Sequence, residues 1–292
     1  MKKILITGAT GNIGTEVIHF LYQLNTADKI VAGVRDINKA RKYFKDYPQP
    51  EFAHFDFENS ETFRNALHGV DALFLLRPPH ISEVHNIFKP LLEQIKQNDI
   101  KEIIFLSVQG AEKSKVIPHN KIEKLIKNAD IDYIFLRPGY FMQNLTTTLL
   151  NDIKSKKQII LPAGKAKFNW IDIKNIGEIV ALLFQNFDKF KNQAIELTGY
   201  ENENFYYVAQ LMSKSLPHKI TYRSKNPVTF FFMKRKESIP TGMIIVMIFL
   251  HFLPRFQKEP QISYFYEKLT DKKPTTLAEF IEREKEKFIK HN

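Results

Sequence analysis

The sequence predicts an α/β fold, in which a doubly wound parallel sheet is followed by a smaller α+β lobe at the C-terminus. Within the first 140 residues, six short apolar runs alternate with amphipathic helical segments, which is typical of a parallel sheet with helical crossovers. Beyond Tyr140 the alternation loosens into shorter segments. We therefore expect one domain over residues 1–150 and the lobe over residues 151–292. A helix predicted over residues 173–187 is expected to pack back on the first domain.

The first predicted strand and helix meet in a glycine-rich turn. The apolar run Ile4-Leu5-Ile6 predicts a buried strand, and Gly8, Gly11 and Gly14 follow it at intervals of three. In this context the first glycine allows a tight turn, the second lets the backbone approach a pyrophosphate, and the third lets the helix pack closely. The helix predicted over residues 12–24 would direct its free N–H groups at that phosphate. The motif therefore predicts a Rossmann-type dinucleotide site rather than a plain turn.

The second strand is predicted over residues 29–35 and ends in Arg35. In dinucleotide sites a residue about twenty positions beyond the glycine turn contacts the ribose. A guanidinium at this place can hold a 2′-phosphate through its fork of donors. We therefore expect NADP(H) to be preferred, with NAD(H) as the alternative cofactor. The adjacent Asp36 leaves a second interpretation open, because its carboxylate would either pair with Arg35 or face the ribose itself.

The remaining elements of the first domain bring further candidates to the carboxyl edge of the sheet, where ligands of open α/β sheets bind. Helices are predicted over residues 37–47, 60–67, 84–98 and 119–129, and strands over residues 51–56, 72–76, 101–106 and 132–137. Asp56 and Phe57 are candidates for the adenine end of a cofactor. Arg77 is a candidate for a pyrophosphate or substrate, or else a structural arginine in its proline-rich loop. Ser107 is a candidate for contact with a nicotinamide or a carbonyl.

The lobe is predicted to consist of shorter segments. Helices are expected over residues 145–154, 205–216 and 276–289, the last capped by Thr275 or Thr276, and short strands over residues 159–161, 168–172, 194–197 and 219–222. The most hydrophobic stretch, residues 243–253, is too short to span a bilayer as a helix. We expect it to be buried or to lie at an interface, with contact to a membrane surface as the alternative.

The composition excludes several kinds of chemistry. The 292 residues include no cysteine, so disulfides, thiolate catalysis and cysteine metal sites are excluded. The nine histidines are scattered without ligand spacing, so no metal site is expected. The net charge of +11 is spread along the chain, as on a solvated surface, and no nucleic-acid motif accompanies it. We expect a cytoplasmic protein without a membrane span and without direct contact to nucleic acid.

Several segments resemble the NmrA-like branch of the atypical short-chain dehydrogenases/reductases. They are the glycine turn over residues 8–14, Leu-Leu-Arg-Pro-Pro over 75–79, Leu-Ser-Val-Gln-Gly-Ala-Glu over 106–112, Pro-His over 118–119 with Ile-Glu over 122–123, Leu-Arg-Pro-Gly-Tyr-Phe-Met-Gln-Asn over 136–144, Trp-Ile-Asp-Ile over 170–173, and the segment from Leu-Thr at 269–270 to Phe280. The resemblance covers nearly the whole chain. It implies a Rossmann domain that binds NAD(P)(H) and a smaller lobe that closes over a pocket.

The resemblance also implies site residues. The Tyr-x-x-x-Lys pair of typical short-chain dehydrogenases is absent from the expected helix, and its occurrence at Tyr264 and Lys268 in the lobe is interpreted as coincidence. His119 instead falls where the reductase relatives have a catalytic lysine, and an imidazole could bind ribose hydroxyls, transfer a proton, or serve only a structural role. Tyr140, with Phe141, Met142, Trp170 and the region over residues 230–252, is expected to line the pocket, and the alternative is that these are core residues of the lobe. The predicted catalytic residues are His119, Tyr140 and Ser107, and the predicted cofactor-binding residues are Gly8, Thr10, Gly11, Asn12, Ile13, Gly14, Arg35, Asp56, Phe57, Leu76, Arg77, Ser107 and His119.

Two functions agree with these residues. The first is an NADPH-dependent oxidoreductase of a small planar acceptor such as a quinone, because hydride transfer belongs to the nicotinamide and an electron-poor acceptor needs only a weak protein acid. The alternative is a non-catalytic NADP(H)-sensing regulator that acts through a protein partner, since the implied relatives include both kinds. A homodimer or a regulatory protein partner is compatible with either.

Overall fold

A computed structural model describes residues 1–46, 49–79, 81, 83–114 and 117–289. Its backbone contacts divide the chain into two compact units. Unit 1 comprises Met1–Pro138, Ile173–Leu197 and Lys268–Asp271, and unit 2 comprises Gly139–Asp172, Thr198–Glu267 and Lys272–Asn292. The predicted domains, 1–150 and 151–292, are continuous segments of the chain, and this division stays a prediction.

The elements alternate regularly in the first half of the chain and become shorter afterwards. The strands are β1 (Lys3–Thr7), β2 (Lys29–Val34), β3 (Glu51–His54), β4 (Ala72–Leu76), β5 (Glu102–Leu106), β6 (Asp132–Pro138), β7 (Tyr140–Phe141), β8 (Gln158–Leu161), β9 (Phe168–Ile171), β10 (Gln193–Leu197), β11 (Asn202–Glu203) and β12 (Thr221–Ser224). The α-helices are α1 (Asn12–Gln23), α2 (Ile37–Tyr43), α3 (Glu61–Leu67), α4 (Val84–Gln97), α5 (Pro118–Asn128), α6 (Leu150–Lys156), α7 (Ile173–Gln185), α8 (Phe187–Phe190), α9 (Phe205–Ser215), α10 (Pro227–Lys236), α11 (Thr241–Phe252), α12 (Phe265–Thr270) and α13 (Leu277–Phe288). Short 3-10 helices lie at Ala111–Lys113, Met142–Leu145 and Leu253–Phe256.

Unit 1 contains a seven-stranded parallel sheet with the order β10-β6-β5-β4-β1-β2-β3. Its central strands are continuous apolar runs, as expected for strands covered on both faces. Helices α3, α4 and α5 join the sheet in one apolar cluster, and α1 packs against α7. The predicted doubly wound fold is confirmed, and β10 joins this sheet as its seventh strand.

Among its described residues, unit 2 contains two small sheets and one apolar core. The sheets have the orders β11-β9-β7 and β12-β8. The core includes Trp170, Phe205, Phe230 and Phe280, all fully buried. Helix α13 begins in a capping box, in which the Thr276 hydroxyl accepts the N–H of Glu279, so Thr276 is the cap. Within the described ranges, no helix combines the length and apolar character needed to cross a membrane.

Several predicted boundaries differ from the observed ones by two or more residues. The helix expected from residue 145 begins at Leu150, because the hydroxyls of Thr146 and Thr147 donate to the carbonyl of Gln143 and hold a tighter turn. The strand expected over 219–222 begins at Thr221, since the Ser213 hydroxyl takes both backbone groups of Ile220. Helix α2 ends at Tyr43. Its predicted end, Tyr47, lies outside the described residues.

Candidate functional site

The register of unit 1 brings the predicted site residues to one edge of the sheet. Leu76, Leu106 and Leu136 lie side by side at the carboxyl ends of β4, β5 and β6. The residues that follow them, Arg77, Ser107 and Arg137, therefore emerge on three neighbouring strands. The glycine turn follows β1, which pairs with β4 on the other side.

The glycine turn has a geometry that other residues cannot adopt without strain. Gly8 has φ +62°, in the left-handed region, and its carbonyl accepts the N–H of Gly11 at 2.9 Å. A Cβ on Gly14 would lie 2.3 Å from the carbonyl oxygen of Gly8 and 2.8 Å from the Cα of Ala9. Since both of these atoms are backbone, the turn and helix α1 meet this closely only with glycine at position 14.

The N-terminus of α1 is open to a ligand. Its first residue follows Gly11, and no side chain of the described residues caps it. Among the predicted cofactor residues of this segment, Gly8, Thr10, Gly11 and Asn12 are exposed, whereas Ile13 and Gly14 are buried. An uncapped helix N-terminus presents backbone donors and the positive end of the helix dipole, which favours an anion such as a pyrophosphate.

Thr7 connects the turn to the neighbouring strand. Its hydroxyl donates to the carbonyl of Phe74 at 3.0 Å and accepts the N–H of Leu76 at 2.8 Å. The Leu76 side chain lies against Gly8, with its Cδ2 2.8 Å from where a Cβ would be. Thr7 was not predicted as a site residue. A threonine at the end of an otherwise apolar strand was the available signal.

Arg35 and Asp36 do not pair. Arg35 is exposed directly after β2, and the described residues give its side chain no hydrogen-bond or ion-pair partner. The Asp36 carboxylate instead caps helix α2 by accepting the N–H of Lys39 at 3.0 Å, and this hydrogen bond lowers the pKa of Asp36. The expected alternative of an Arg35–Asp36 pair is therefore wrong, because the helix N-terminus takes the carboxylate.

Asp56 and Phe57 lie just beyond β3, and the two residues present different groups to a ligand. A carboxylate oxygen of Asp56 accepts the N–H of Glu58 at 3.0 Å, and Asp56 is half-buried. The Phe57 ring is buried in the core, 4.9 Å from the ring of Phe55 and 5.6 Å from that of Phe88. Position 57 therefore offers a ligand its backbone rather than its ring.

The Arg77 side chain forms hydrogen bonds to the backbone of the loop that follows it. Its Nη1 donates to the carbonyls of Pro78, Pro79 and Ile81 at 3.0, 3.2 and 2.5 Å, and burial lowers the pKa of its guanidinium. These bonds agree with the structural interpretation of Arg77. Its buried Nε has no hydrogen-bond partner among the described residues, so one donor is left for a ligand.

Ser107 belongs to a buried hydrogen-bond network. Its hydroxyl donates to Glu123 at 2.6 Å, and Arg137 holds both carboxylate oxygens of Glu123, at 3.0 and 2.7 Å. A third donor of Arg137 reaches Glu112 at 2.7 Å, and hydrogen bonding to Glu123 raises the pKa of Arg137. Glu112, Glu123 and Arg137 were not predicted as site residues. Their position in the family-like segments was the only signal.

His119 is the second residue of α5 and is half-buried, with its ring 6.1 Å from that of Phe105. Burial, and then the positive charge of Arg77, lowers the pKa of His119 to about 3. The imidazole is therefore neutral at pH 7 and suited to hydrogen bonding with a ribose. The expected proton transfer near neutral pH disagrees with this pKa.

Tyr140 is a core residue of unit 2, which agrees with the alternative of a plain core residue, and its place in a pocket lining stays a prediction. Its side chain is 8% exposed and lies against the rings of Phe168 and Trp170. The hydroxyl donates to Nε2 of His251 at 2.9 Å, because Nδ1 of His251 donates to the carbonyl of Met247. Burial raises the pKa of Tyr140 far above its usual value. Met142 is buried in the same core.

The parallel sheet, the glycine turn and the open helix N-terminus define a Rossmann-type α/β protein. The chain belongs to the NmrA-like family, whose model matches residues 1–281. It is 30% identical to Prestalk A differentiation protein A of Dictyostelium discoideum over 77% of this chain and 73% of that protein. It is 28% identical to an NAD(P)H azoreductase of Xenophilus azovorans over 75% of this chain and 76% of that protein. The predicted family is thus confirmed.

The fold also matches that of a solved oxidoreductase. The NADPH-dependent quinone oxidoreductase of Escherichia coli, crystallised with NADPH, superposes with a TM-score of 0.85 at 23% sequence identity. The superposition covers 96% of this chain and 99% of that one. At this identity the likeness shows the fold.

Proposed function

We propose that this chain is an NADPH-dependent oxidoreductase that reduces a small planar acceptor such as a quinone. The observation that carries the proposal is the glycine turn of unit 1, where position 14 admits no Cβ and the N-terminus of α1 is uncapped. This is the geometry that accepts a dinucleotide pyrophosphate. The azoreductase among the relatives supports a reductase, and family membership supports the cofactor.

Different residues of unit 1 would bind different parts of the cofactor. The turn and the first turn of α1 would bind the pyrophosphate, and the exposed Arg35 would bind the 2′-phosphate. The neutral His119 would exchange hydrogen bonds with the ribose hydroxyls. When bound, the nicotinamide supplies the hydride.

The acceptor is proposed to be electron-poor because none of the three predicted catalytic side chains is a ready acid. The Ser107 hydroxyl donates a hydrogen bond to Glu123, His119 is neutral, and Tyr140 is buried with a raised pKa. A quinone that receives a hydride becomes a hydroquinone anion, which takes its proton from water. Such a reaction needs positioning and exclusion of side reactions from the protein rather than a strong acid.

The lack of a ready acid among the three predicted catalytic side chains also favours a second candidate, a non-catalytic NADP(H) sensor that acts through a protein partner. In a sensor, the buried Ser107–Glu123–Arg137 network would serve the fold, and no proton donor would be required.

Anaerobic assays of NADPH oxidation distinguish the two functions. We expect tight NADPH binding and turnover with quinones, tested beside azo dyes and enones. Tight binding with turnover near zero for every acceptor would favour the sensor. Absence of NADPH binding would contradict both.

A further inference from the structure

Helix α11 exposes an apolar face although it belongs to unit 2. Its buried side, with Ile244, Met247 and His251, packs into the core. The opposite side, together with Leu253 directly after the helix, exposes six large apolar residues with 42–59% of their area accessible, and we call them the α11 face: Met243, Ile245, Val246, Phe249, Leu250 and Leu253. Monomeric proteins rarely leave a contiguous apolar surface of this kind uncovered unless it binds something.

The helix that precedes the α11 face is fixed to unit 2 by a buried ion pair. Lys234 of α10 is 3% exposed, and its ammonium lies 2.6 Å from Asp152 of α6 and 2.7 Å from Glu237. Lys156 completes the cluster at 2.6 Å from Glu237, so two cations balance two carboxylates. Because α10 packs against α11, this anchor makes the face a fixed feature of the fold.

Exposed basic residues lie at both ends of the α11 face. Arg235 and Lys236 end α10, and Arg255 and Lys258 follow α11; within the described residues none of the four has an ion-pair partner. No acidic residue occurs from position 238 to position 257. The flanking carboxylates are already paired, Glu237 with Lys234 and Glu259 with Lys167 at 2.8 Å.

This charge pattern disfavours a second copy of the chain as the occupant. If two α11 faces packed about a twofold axis, basic ends would meet basic ends in either orientation of the helices. An anionic surface instead complements both ends at once.

We propose that the α11 face docks on the surface of an anionic lipid bilayer. The six apolar side chains would enter the boundary between headgroups and acyl chains, while the four basic residues contact lipid phosphates. A helix of 12 residues is about 18 Å long and lies in the plane of the interface rather than across it. This inference does not depend on the proposed redox function.

Co-sedimentation of the full chain with vesicles tests the proposal. We expect binding to vesicles of equal parts phosphatidylglycerol and phosphatidylcholine, weak binding to phosphatidylcholine alone, and weaker binding in high salt. Phe249→Glu should weaken binding about tenfold or more, because a buried apolar contact is lost. Gln185→Glu adds the same charge on an exposed position of α7 and should bind like wild type.

A second pair of variants tests the basic ends. Arg255→Gln should weaken binding to the anionic vesicles about fivefold. Lys124→Gln removes an exposed positive charge from α5 and should have little effect. Unchanged circular dichroism and melting temperatures would show that all four variants fold.

Two results would overturn the proposal. One is the absence of binding of the folded wild type to anionic vesicles. The other is a dimer in sedimentation velocity that Phe249→Glu dissociates, combined with vesicle binding that Phe249→Glu leaves unchanged.

Discussion

Single residues decide which ligand the glycine turn of unit 1 can take. Asp36 is committed to the N-terminus of α2, whereas Arg35 next to it is exposed and unpaired among the described residues. Two adjacent charges of opposite sign thus have separate roles, one in the fold and one at the proposed site. The guanidinium can therefore be removed without loss of a hydrogen bond or ion pair among the described residues.

Arg35→Ala is expected to weaken NADPH binding about tenfold or more while leaving NADH binding nearly unchanged, since only NADPH carries the 2′-phosphate. Isothermal titration with both cofactors measures the ratio. Arg64→Ala, at an exposed arginine of α3, is the matched control and should change neither affinity. A ratio that stays at the wild-type value would remove Arg35 from the proposed site.

Residues near a local motif could be predicted from the sequence, whereas distant partners could not. Gly14 is explained by atoms of Gly8 and Ala9, a few positions away. Tyr140 was expected in a pocket because it follows a strand end, but its hydroxyl partner His251 lies 111 positions further along the chain. A buried tyrosine needs such a partner, and a one-dimensional pattern does not reveal it.

At the scale of elements, the predictions succeeded where apolar runs alone decide the structure. Strands β1, β4 and β5 are buried on both faces, so composition marks them. The boundaries missed in unit 2 lie where a hydroxyl of Thr146, Thr147 or Ser213 replaces a backbone partner. Such side-chain bonds compete with regular structure, and their outcome depends on local geometry rather than on periodicity.

The close contact between α1 and the glycine turn is expected to leave no room for a methyl group at position 14. Gly14→Ala places a Cβ against rigid backbone, so it should lower the free energy of unfolding by about 1–3 kcal/mol and abolish tight NADPH binding. Gly242→Ala is the matched control, because its Cβ meets nothing within 4 Å in the first turn of α11. It should be neutral or stabilise by up to about 1 kcal/mol.

Thermal unfolding with and without NADPH measures both effects of the glycine variants. If Gly14→Ala melts like wild type and is stabilised equally by NADPH, the close approach is not required for binding.

At the scale of the whole molecule, three histidines respond to acid in the same direction. Burial is the main cause for each: it lowers the pKa of His119 to about 3 and that of His251 to about 4, and it also lowers the pKa of His218. In the unfolded chain a histidine has a pKa of about 6.5. Between these values the unfolded chain binds more protons than the folded chain, so the free energy of unfolding falls as the pH falls.

The lowered pKa of His251 alone is expected to reduce the free energy of unfolding by about 2 kcal/mol when the pH is lowered from about 7 to about 5. Each unit of pKa difference corresponds to about 1.4 kcal/mol. The stability that the neutral His251 contributes is fully present above the pKa of the unfolded chain, and it is lost as the pH falls toward the folded pKa of about 4. The double variant Tyr140→Phe/His251→Leu removes the imidazole together with the hydroxyl that donates to it. Urea unfolding of this variant should therefore show a shallower loss of stability in acid than wild type.

The control for this experiment is His85→Gln, at an exposed position of α4, which should keep the wild-type dependence on pH. The remaining dependence of the double variant would come from groups that stay in place, which include His119, His218 and the Asp36 carboxylate with its lowered pKa. Should the double variant lose as much stability in acid as wild type, His251 would be protonated as readily in the folded chain as in the unfolded one. Its Nε2 would then be unable to accept the Tyr140 hydroxyl, and the buried pair in the core of unit 2 would be wrong.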